Sequence, residues 1–237
     1  MRSQSGVVPK SDARRLFPLM LGWQLAPGIG YCEVAGNLVF LDLVRDKYLS
    51  LVGADRAAFE RLRAGEPNDS ETMGRLVGTG LLARANGQTR LSPTVTDIPG
   101  RDLSVVRDTR FSPAMALAAA IALRKARSGM RPGRIADTIE RHRRRKARIG
   151  VPGSEASVRR IATRYAAARW INPTPPRCLV DALALDHLLL SSGLSASLVF
   201  GVRLSPFAAH CWLQTPETVL TGTVAEARNF TPVLVIA

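Results

Sequence analysis

Cysteine is scarce in this sequence: the 237 residues include three, Cys32, Cys178 and Cys211. Small secreted domains that depend on disulfides carry more cysteines, in even numbers and at regular spacings. The sequence therefore excludes a disulfide scaffold. It leaves open that one of the three thiols is free and reactive.

Long apolar runs are also lacking. The longest, near residues 114–123, is far shorter than the ~20 residues that a helix needs to cross a bilayer. The first residues lack the apolar stretch of a secretory signal, so we expect a cytoplasmic protein. Apolar residues still make up 46% of the chain, a share typical of a globular protein rather than a disordered one.

Acidic residues are few in the middle of the chain. Residues 101–170 carry 18 Lys or Arg against five Asp or Glu, a net charge of +13, whereas residues 1–100 carry +2 and residues 171–237 carry −1. The densest stretch, residues 141–148, reads Arg-His-Arg-Arg-Arg-Lys-Ala-Arg. Few aromatic residues accompany it, so the stacking platforms of single-strand binders are missing and we expect no DNA partner. The charge is interpreted as a solvated helix face, or as a docking surface for an acidic precursor, a partner enzyme or an anionic membrane.

The N-terminal pattern predicts a small module of two strands, two helices and a third strand. Apolar runs at residues 38–43 and 47–52 indicate an antiparallel hairpin. Helical spacing follows over residues 54–63 and 71–82, and a strand is expected at residues 89–91. This order of elements resembles a winged helix.

The rest of the chain predicts helices followed by a sheet. Helices are expected over residues 112–148, interrupted by Gly and Pro near residues 129–133, and over residues 155–170. A proline-rich stretch at residues 171–177 precedes a helix at residues 178–191. Four strands then follow at residues 197–204, 209–214, 218–221 and 231–236. One helix packed on an antiparallel sheet is the economical architecture for this order.

We therefore predict an α+β protein of two domains. The first is a winged-helix-like module at residues 20–97, and the second spans residues 98–237. Within the second, residues 98–170 form a basic helical part and residues 171–237 form the core.

Cysteine catalysis is the chemistry that the last third could carry. Cys178 lies at a predicted helix start, where free backbone donors and the helix dipole favour a thiolate. His210, on a later strand, could supply the imidazole, whereas His187 projects from the opposite side of the helix to Cys178. A structural role for the cysteines and histidines is the alternative. Zinc sites use closely paired ligands that this sequence lacks, so we expect no metal and no other cofactor.

Several short motifs in the C-terminal third together carry a family resemblance. They are Pro-Arg-Cys-Leu at 176–179, Leu-Ala-Leu at 183–185, Gly-Val-Arg at 201–203, Pro-Phe-Ala-Ala-His-Cys-Trp-Leu at 206–213, Thr-Val-Leu at 218–220 and Phe-Thr-Pro-Val-Leu at 230–234. Their order and spacing resemble the transglutaminase-like peptidase of lasso-peptide biosynthesis, the B protein. Upstream, Leu-Val-Phe-Leu-Asp-Leu-Val-Arg-Asp-Lys-Tyr-Leu-Ser-Leu at 38–51 is similar to the leader-recognition domain related to the pyrroloquinoline-quinone chaperone.

The resemblance implies a cysteine endopeptidase with a papain-like arrangement of helix and sheet. Cys178 would be the nucleophile and His210 the base, and the enzyme would cut the leader from a ribosomally made lasso precursor. A separate ATP-dependent cyclase would then join the freed core amine to a side-chain carboxylate. The N-terminal module would bind the leader as an added strand, near residues such as Tyr48, Leu49 and Leu51.

The third catalytic group departs from the family. The family places an Asp about a dozen residues beyond the His, where this chain has Leu220, Thr221 and Gly222. Thr221, Glu217 or a backbone carbonyl could orient the imidazole instead. Two other functions stay open: a basic winged-helix protein that binds nucleic acid, with structural Cys and His, and an acyltransferase on the same fold.

Overall fold

The N-terminal part of the protein combines two small sheets with two helices. The computed structural model describes residues 21–105, 112–131, 133–150, 153–169 and 175–237. The elements of this part are β1 (Leu21–Leu25), β2 (Ile29–Val34), β3 (Asn37–Asp42), β4 (Lys47–Ser50), α1 (Gly53–Ala64), α2 (Ser70–Gly78) and β5 (Leu82–Asn86). Strands β2, β3 and β4 form an antiparallel sheet in that order, and β1 pairs with β5. The predicted hairpin and both helices are confirmed.

The strand predicted at residues 89–91 is wrong. The last strand of this part is β5, which pairs antiparallel with β1, a strand that the sequence pattern did not reveal. The guanidinium of Arg84 lies 4.0 Å from the ring centre of Trp23 and so helps to hold the two strands together. Beyond the turn at Gly87, Arg90 forms only an isolated bridge with Gln24. Polar residues in both strands hid this pairing from a search for apolar alternation.

The C-terminal part places helices around a sheet of five strands. Its elements are β6 (Arg101–Asp102), a 3₁₀ turn (Leu103–Val105), α3 (Pro113–Gly129), α4 (Ile135–Ile149), α5 (Glu155–Arg169), α6 (Cys178–Ser191), β7 (Ser197–Leu204), β8 (Phe207–Gln214), β9 (Thr218–Val219), α7 (Val224–Ala227) and β10 (Thr231–Ile236). The strand order is β10-β7-β8-β9-β6, antiparallel except for β6 beside β9. The α+β fold class is confirmed. Residues 171–174 of the predicted proline-rich loop lie outside the described residues.

Helix α6 is the centre of this part. It packs against β8 and is surrounded by α3, α4 and α5. Because it is enclosed on several sides, most of its side chains are buried, including Leu183, Leu185 and Leu189. A helix that is apolar on most of its surface is typical of a core position. Among the described helices, none is long and apolar enough to cross a membrane.

The two predicted domains share one hydrophobic core. Alternation along β3 sends Leu38 and Phe40 toward α1 and α2, and it sends Val39 and Leu41 into the core formed with α3 to α6 and β7, β8 and β10. Strand β2 also approaches β10 closely, since a Cβ on Gly30 would lie 2.2 Å from the carbonyl oxygen of Val233. The boundary between the domains stays a prediction, but the β2-β3-β4 sheet lies between two apolar layers.

A fragment of residues 98–237 is therefore expected not to fold alone. Without the N-terminal sheet, the apolar side chains of β10 and of the surrounding helices would lose the layer that covers them. Near-ultraviolet circular dichroism and a denaturant titration of the fragment should show no fixed packing and no cooperative transition. A sharp transition at the denaturant concentration of the whole chain would contradict the shared core.

Candidate functional site

Cys178 is the first residue of α6, and it is exposed. The N-cap residue is Arg177, and within the described residues its side chain makes no capping hydrogen bond to the helix. The backbone N–H of Arg177 donates to the Asp181 carboxylate at 2.9 Å, and that carboxylate also accepts from Arg169 at 2.5 Å. Asp181 thus holds the first turn of α6 in place and ties it to Arg169 of α5. The Cys178 thiol therefore lies at the N-terminal, positive end of the α6 dipole.

The other two cysteines are buried, Cys32 in the sheet of the N-terminal part and Cys211 in β8. Burial raises the pKa of the Cys32 thiol to about 11 and raises that of Cys211 well above its usual range. Of the three thiols, Cys178 is the one that solvent and substrate can reach.

His210 lies in the middle of β8 and faces away from its neighbour Cys211. Cys211 belongs to the core around α6, whereas the imidazole of His210 stacks on Trp212 at a centroid distance of 5.8 Å and lies 5.1 Å from the ring of Phe230. The strand alternation predicted these opposite directions. Burial lowers the pKa of His210, and the negative charge of Glu226 opposes that shift.

One nitrogen of this imidazole, Nε2, is buried and has no hydrogen-bond partner among the residues that the structure describes. Gly222 lies beside it, because a Cβ added there would be 3.6 Å from Nε2. The same Cβ would be 3.0 Å from the Oε2 atom of Glu226. The Glu226 carboxylate and Nε2 of His210 therefore both lie beside Gly222.

The structure assigns other contacts to both side chains that sequence reasoning offered as the third group. The Thr221 hydroxyl accepts a hydrogen bond from the backbone N–H of Leu213 at 2.9 Å. Glu217 lies 3.6 Å from Arg101 in an exposed ion pair. In the described part of the chain, neither is bonded to His210, and no hydrogen bond joins His210 to Cys178. The pairing of Cys178 with His210 stays a prediction.

Sequence reasoning missed Glu226, although a signal for it exists. Thr223 and Glu226 form a capping box at the start of α7, in which Glu226 Oε2 accepts from the Thr223 N–H at 2.9 Å. The Thr-x-x-Glu spacing is typical of this motif. It folds the carboxylate back to the residue after Gly222, and so toward the position that faces His210.

His187, which helical geometry directs away from Cys178, lies near α3. Its Nε2 atom is 3.4 Å from Nζ of Lys125. Across the described ranges, no three His, Cys, Asp or Glu side chains are grouped as ligands for a metal ion.

A pocket of about 520 Å³ lies beside β4, at the free edge of the N-terminal sheet. It is lined by β3, β4 and the turn between β7 and β8, including Tyr48, Leu49, Leu204 and Phe207. The rings of Tyr48 and Phe207 pack edge to face at a centroid distance of 5.6 Å. Leu51, also expected near the leader, is buried under α1 and α2 instead.

The profile of the transglutaminase-like superfamily matches residues 114–235, slightly more than half of the chain. The protein therefore belongs to the transglutaminase-like superfamily, which includes cysteine peptidases and acyltransferases and whose enzymes typically use Cys, His and Asp. Both Cys178 and His210 lie within the matched region. No curated protein and no solved structure matches the chain.

Proposed function

We propose that this protein is a cysteine endopeptidase that removes the leader from a lasso-peptide precursor. The observation that supports the proposal most is the accessibility of the thiols: Cys178 is exposed at the start of a helix, inside a transglutaminase-like domain, and the other two cysteines are buried. The sequence motifs around Cys178 and His210 support the lasso B family within that superfamily. The product would serve a separate ATP-dependent cyclase.

In the proposed reaction, the thiol proton of Cys178 passes to His210 and the sulfur attacks the carbonyl carbon at the leader–core bond. The tetrahedral intermediate then collapses, the C–N bond breaks, and the imidazolium gives its proton to the leaving amine of the core. Water, deprotonated by His210, attacks the thioester. The leader leaves with a new carboxylate, and the thiol is restored.

Glu226 is proposed as the group that orients His210, in place of the family's Asp. With Nε2 protonated toward the carboxylate, the other nitrogen, Nδ1, is the one available to exchange a proton with the thiol. Three observations support this role. Nε2 is buried without a partner among the described residues, Gly222 leaves open space beside it, and the charge of Glu226 acts on the imidazole. The capping box holds the carboxylate beside Gly222, next to the imidazole.

Glu226→Gln is expected to lower kcat for leader removal about tenfold, because the imidazolium loses a nearby negative charge. The charge of Glu226 raises the pKa of His210, so removing that charge should lower the pKa further. The pKa of His210, measured by NMR of the imidazole, should therefore fall in the variant, with little change in KM.

Thr223→Ala is the control for this prediction, since it removes the hydroxyl of the capping box but keeps the carboxylate and the backbone N–H that donates to it. The pKa of His210 should not change in this variant. Gly222→Asp, combined with Glu226→Gln, should restore part of the lost rate, because Asp tolerates the left-handed φ of 76° at this position better than most residues do. An unchanged pKa in Glu226→Gln would remove Glu226 from the mechanism.

The proposed leader site is the free edge of β4. An extended peptide can add there as a further strand, with main-chain hydrogen bonds for affinity and side chains in the adjoining pocket for selection. That pocket extends from β4 to the β7–β8 turn, and β8 is the strand that carries His210. A leader held on β4 would thus lie beside the strand of the proposed base.

Phe207→Ala is expected to raise KM for the precursor about tenfold with little change in kcat, since Phe207 lines the pocket and is 54% exposed. Leu117→Ala is the matched control, because Leu117 is an exposed apolar residue of α3 outside that pocket. Steady-state kinetics with a full-length precursor provide both constants. Equal effects of the two substitutions would exclude the pocket as a leader site.

The function itself is tested by incubating the protein with lasso precursor peptides and following the products by mass spectrometry. We expect one cut at the leader–core junction, and faster cutting of a core attached to its own leader than of one attached to a scrambled leader. Intact precursor throughout, together with salt-dependent binding to random DNA, would favour the nucleic-acid alternative.

A further inference from the structure

The basic run at residues 141–148 does not form a single charged face. Helical spacing divides its side chains among three directions on α4. Arg143 and Arg144 are exposed and both pair with Glu140, at 2.7 and 2.8 Å. His142 and Lys146, four residues apart, are buried. Arg141 and Arg145, also four residues apart, line a pocket between α3, α4 and α6, and Arg148 is exposed outside it.

This pocket, which we call the α3–α4–α6 pocket, has a volume of about 260 Å³. Its lining residues in the described part of the chain include no Asp or Glu. Five basic side chains line it: Lys125, Arg141, His142, Arg145 and His187. Three of the five, the lysine and the two arginines, are cationic at any physiological pH.

Among the described residues, no acidic side chain pairs with the lysine or the two arginines of this pocket. Arg141 donates to the hydroxyl of Thr138 at 2.9 Å, and Lys125 Nζ lies 3.4 Å from His187. Within the described residues, no ion pair involves Lys125, Arg141 or Arg145. Burial, followed by the charges of Lys125, Arg145 and His142, lowers the pKa of His187, and the negative charge of Asp186 only partly opposes that shift. The field in the pocket is therefore positive.

A buried carboxylate fixes the base of the pocket without cancelling its charge. Asp186 is fully buried; its Oδ1 atom lies 2.6 Å from Lys146 Nζ, and its Oδ2 atom lies 2.6 Å from Nδ1 of His142. Both oxygens are occupied by these partners. The contact through Nδ1 fixes the His142 ring and leaves its Nε2 edge for a ligand.

We propose that the α3–α4–α6 pocket binds a phosphate group. Three cations at the rim and wall of one pocket, of which Lys125 and Arg141 are exposed, match a group that carries two or more negative charges. The planar forks of two arginines suit tetrahedral oxyanions. The volume is below the ~300 Å³ at which pockets for drug-sized ligands begin, so a phosphate or diphosphate fits better than a whole nucleotide. The group could belong to a free diphosphate or to a lipid headgroup.

Isothermal titration calorimetry of the full chain with sodium pyrophosphate tests this proposal. We expect saturable binding to one site, weakened at least tenfold in the Lys125→Ala and Arg145→Ala double variant. The Arg143→Ala and Arg144→Ala double variant, which removes the same charge from another face of α4, should bind within twofold of the parent. Thermal melts establish whether both double variants fold. If the Lys125→Ala and Arg145→Ala variant does not fold, the single variant Lys125→Met takes its place.

No saturable binding, or equal weakening in both double variants, would overturn the proposal. Sedimentation with phosphatidylglycerol vesicles distinguishes the two sources. If vesicle binding requires Lys125 and Arg145 and competes with pyrophosphate, the ligand is a lipid headgroup. If pyrophosphate binds but the vesicles do not, the ligand is a free diphosphate. Vesicle binding that neither substitution changes, without pyrophosphate binding, would also overturn it. Leader removal does not depend on this pocket, so either result leaves the proposed function untouched.

Discussion

Cys178→Ala is expected to abolish leader removal, whereas Cys211→Ala should keep most of it. The exposed thiol at the start of α6 is the only one of the three that a peptide can reach. Cys211 is buried and its raised pKa disfavours the thiolate that attacks. Quantitative mass spectrometry of the products, with equal enzyme concentrations, measures both rates.

Cys211→Ala also controls for the loss of a sulfur atom near the site. Because Cys211 packs in the core beside α6, a modest loss of stability is expected, and the assay should run well below the melting temperature. If Cys211→Ala abolishes cutting and Cys178→Ala does not, the assignment of the nucleophile is wrong.

Asp186→Ala is expected to lower the free energy of unfolding by about 3–5 kcal/mol, because it leaves the buried ammonium of Lys146 without its counter-ion. The side chains of Asp186 and Lys146 are 0% and 1% exposed, so water cannot replace the lost contact in the native state. Denaturant titration of the full chain measures the change.

Glu140→Gln is the matched control, since Glu140 pairs with two arginines of the same helix at the surface. Exposed ion pairs contribute little to stability, so this variant should unfold near the parent. Equal stability of Asp186→Ala and the parent would show that the buried cluster of His142, Lys146 and Asp186 does not support the helical layer.

The elements that the sequence predicted best are those whose side-chain pattern reflects burial alone. The bounds of α6, β7 and β10 match the prediction, because apolar runs end at clear turn residues such as Gly193. The opposite directions of His210 and Cys211 followed from strand alternation. Strand β1 was missed, since its pairing with β5 depends on residues 57 to 65 positions away rather than on a local pattern.

Charged side chains were the hardest to place from sequence. The run at residues 141–148 suggested a solvated surface, yet His142 and Lys146 are buried because Asp186 of α6 receives them. Glu226 was overlooked for the same reason, since the gap beside His210 that it faces exists only in the folded chain. In both cases a distant partner determines where the charge lies.

Leader removal in water enriched in ¹⁸O tests the central claim most directly. A cysteine peptidase that passes through a thioester on Cys178 incorporates one ¹⁸O atom from the solvent into the new carboxylate of the leader, and the core keeps a free amine without label. Tandem mass spectrometry of both products locates the isotope. The account predicts labelled leader and unlabelled core from the parent protein and neither product from Cys178→Ala. Uncut precursor, or a leader joined to an added amine in place of a labelled carboxylate, would contradict it.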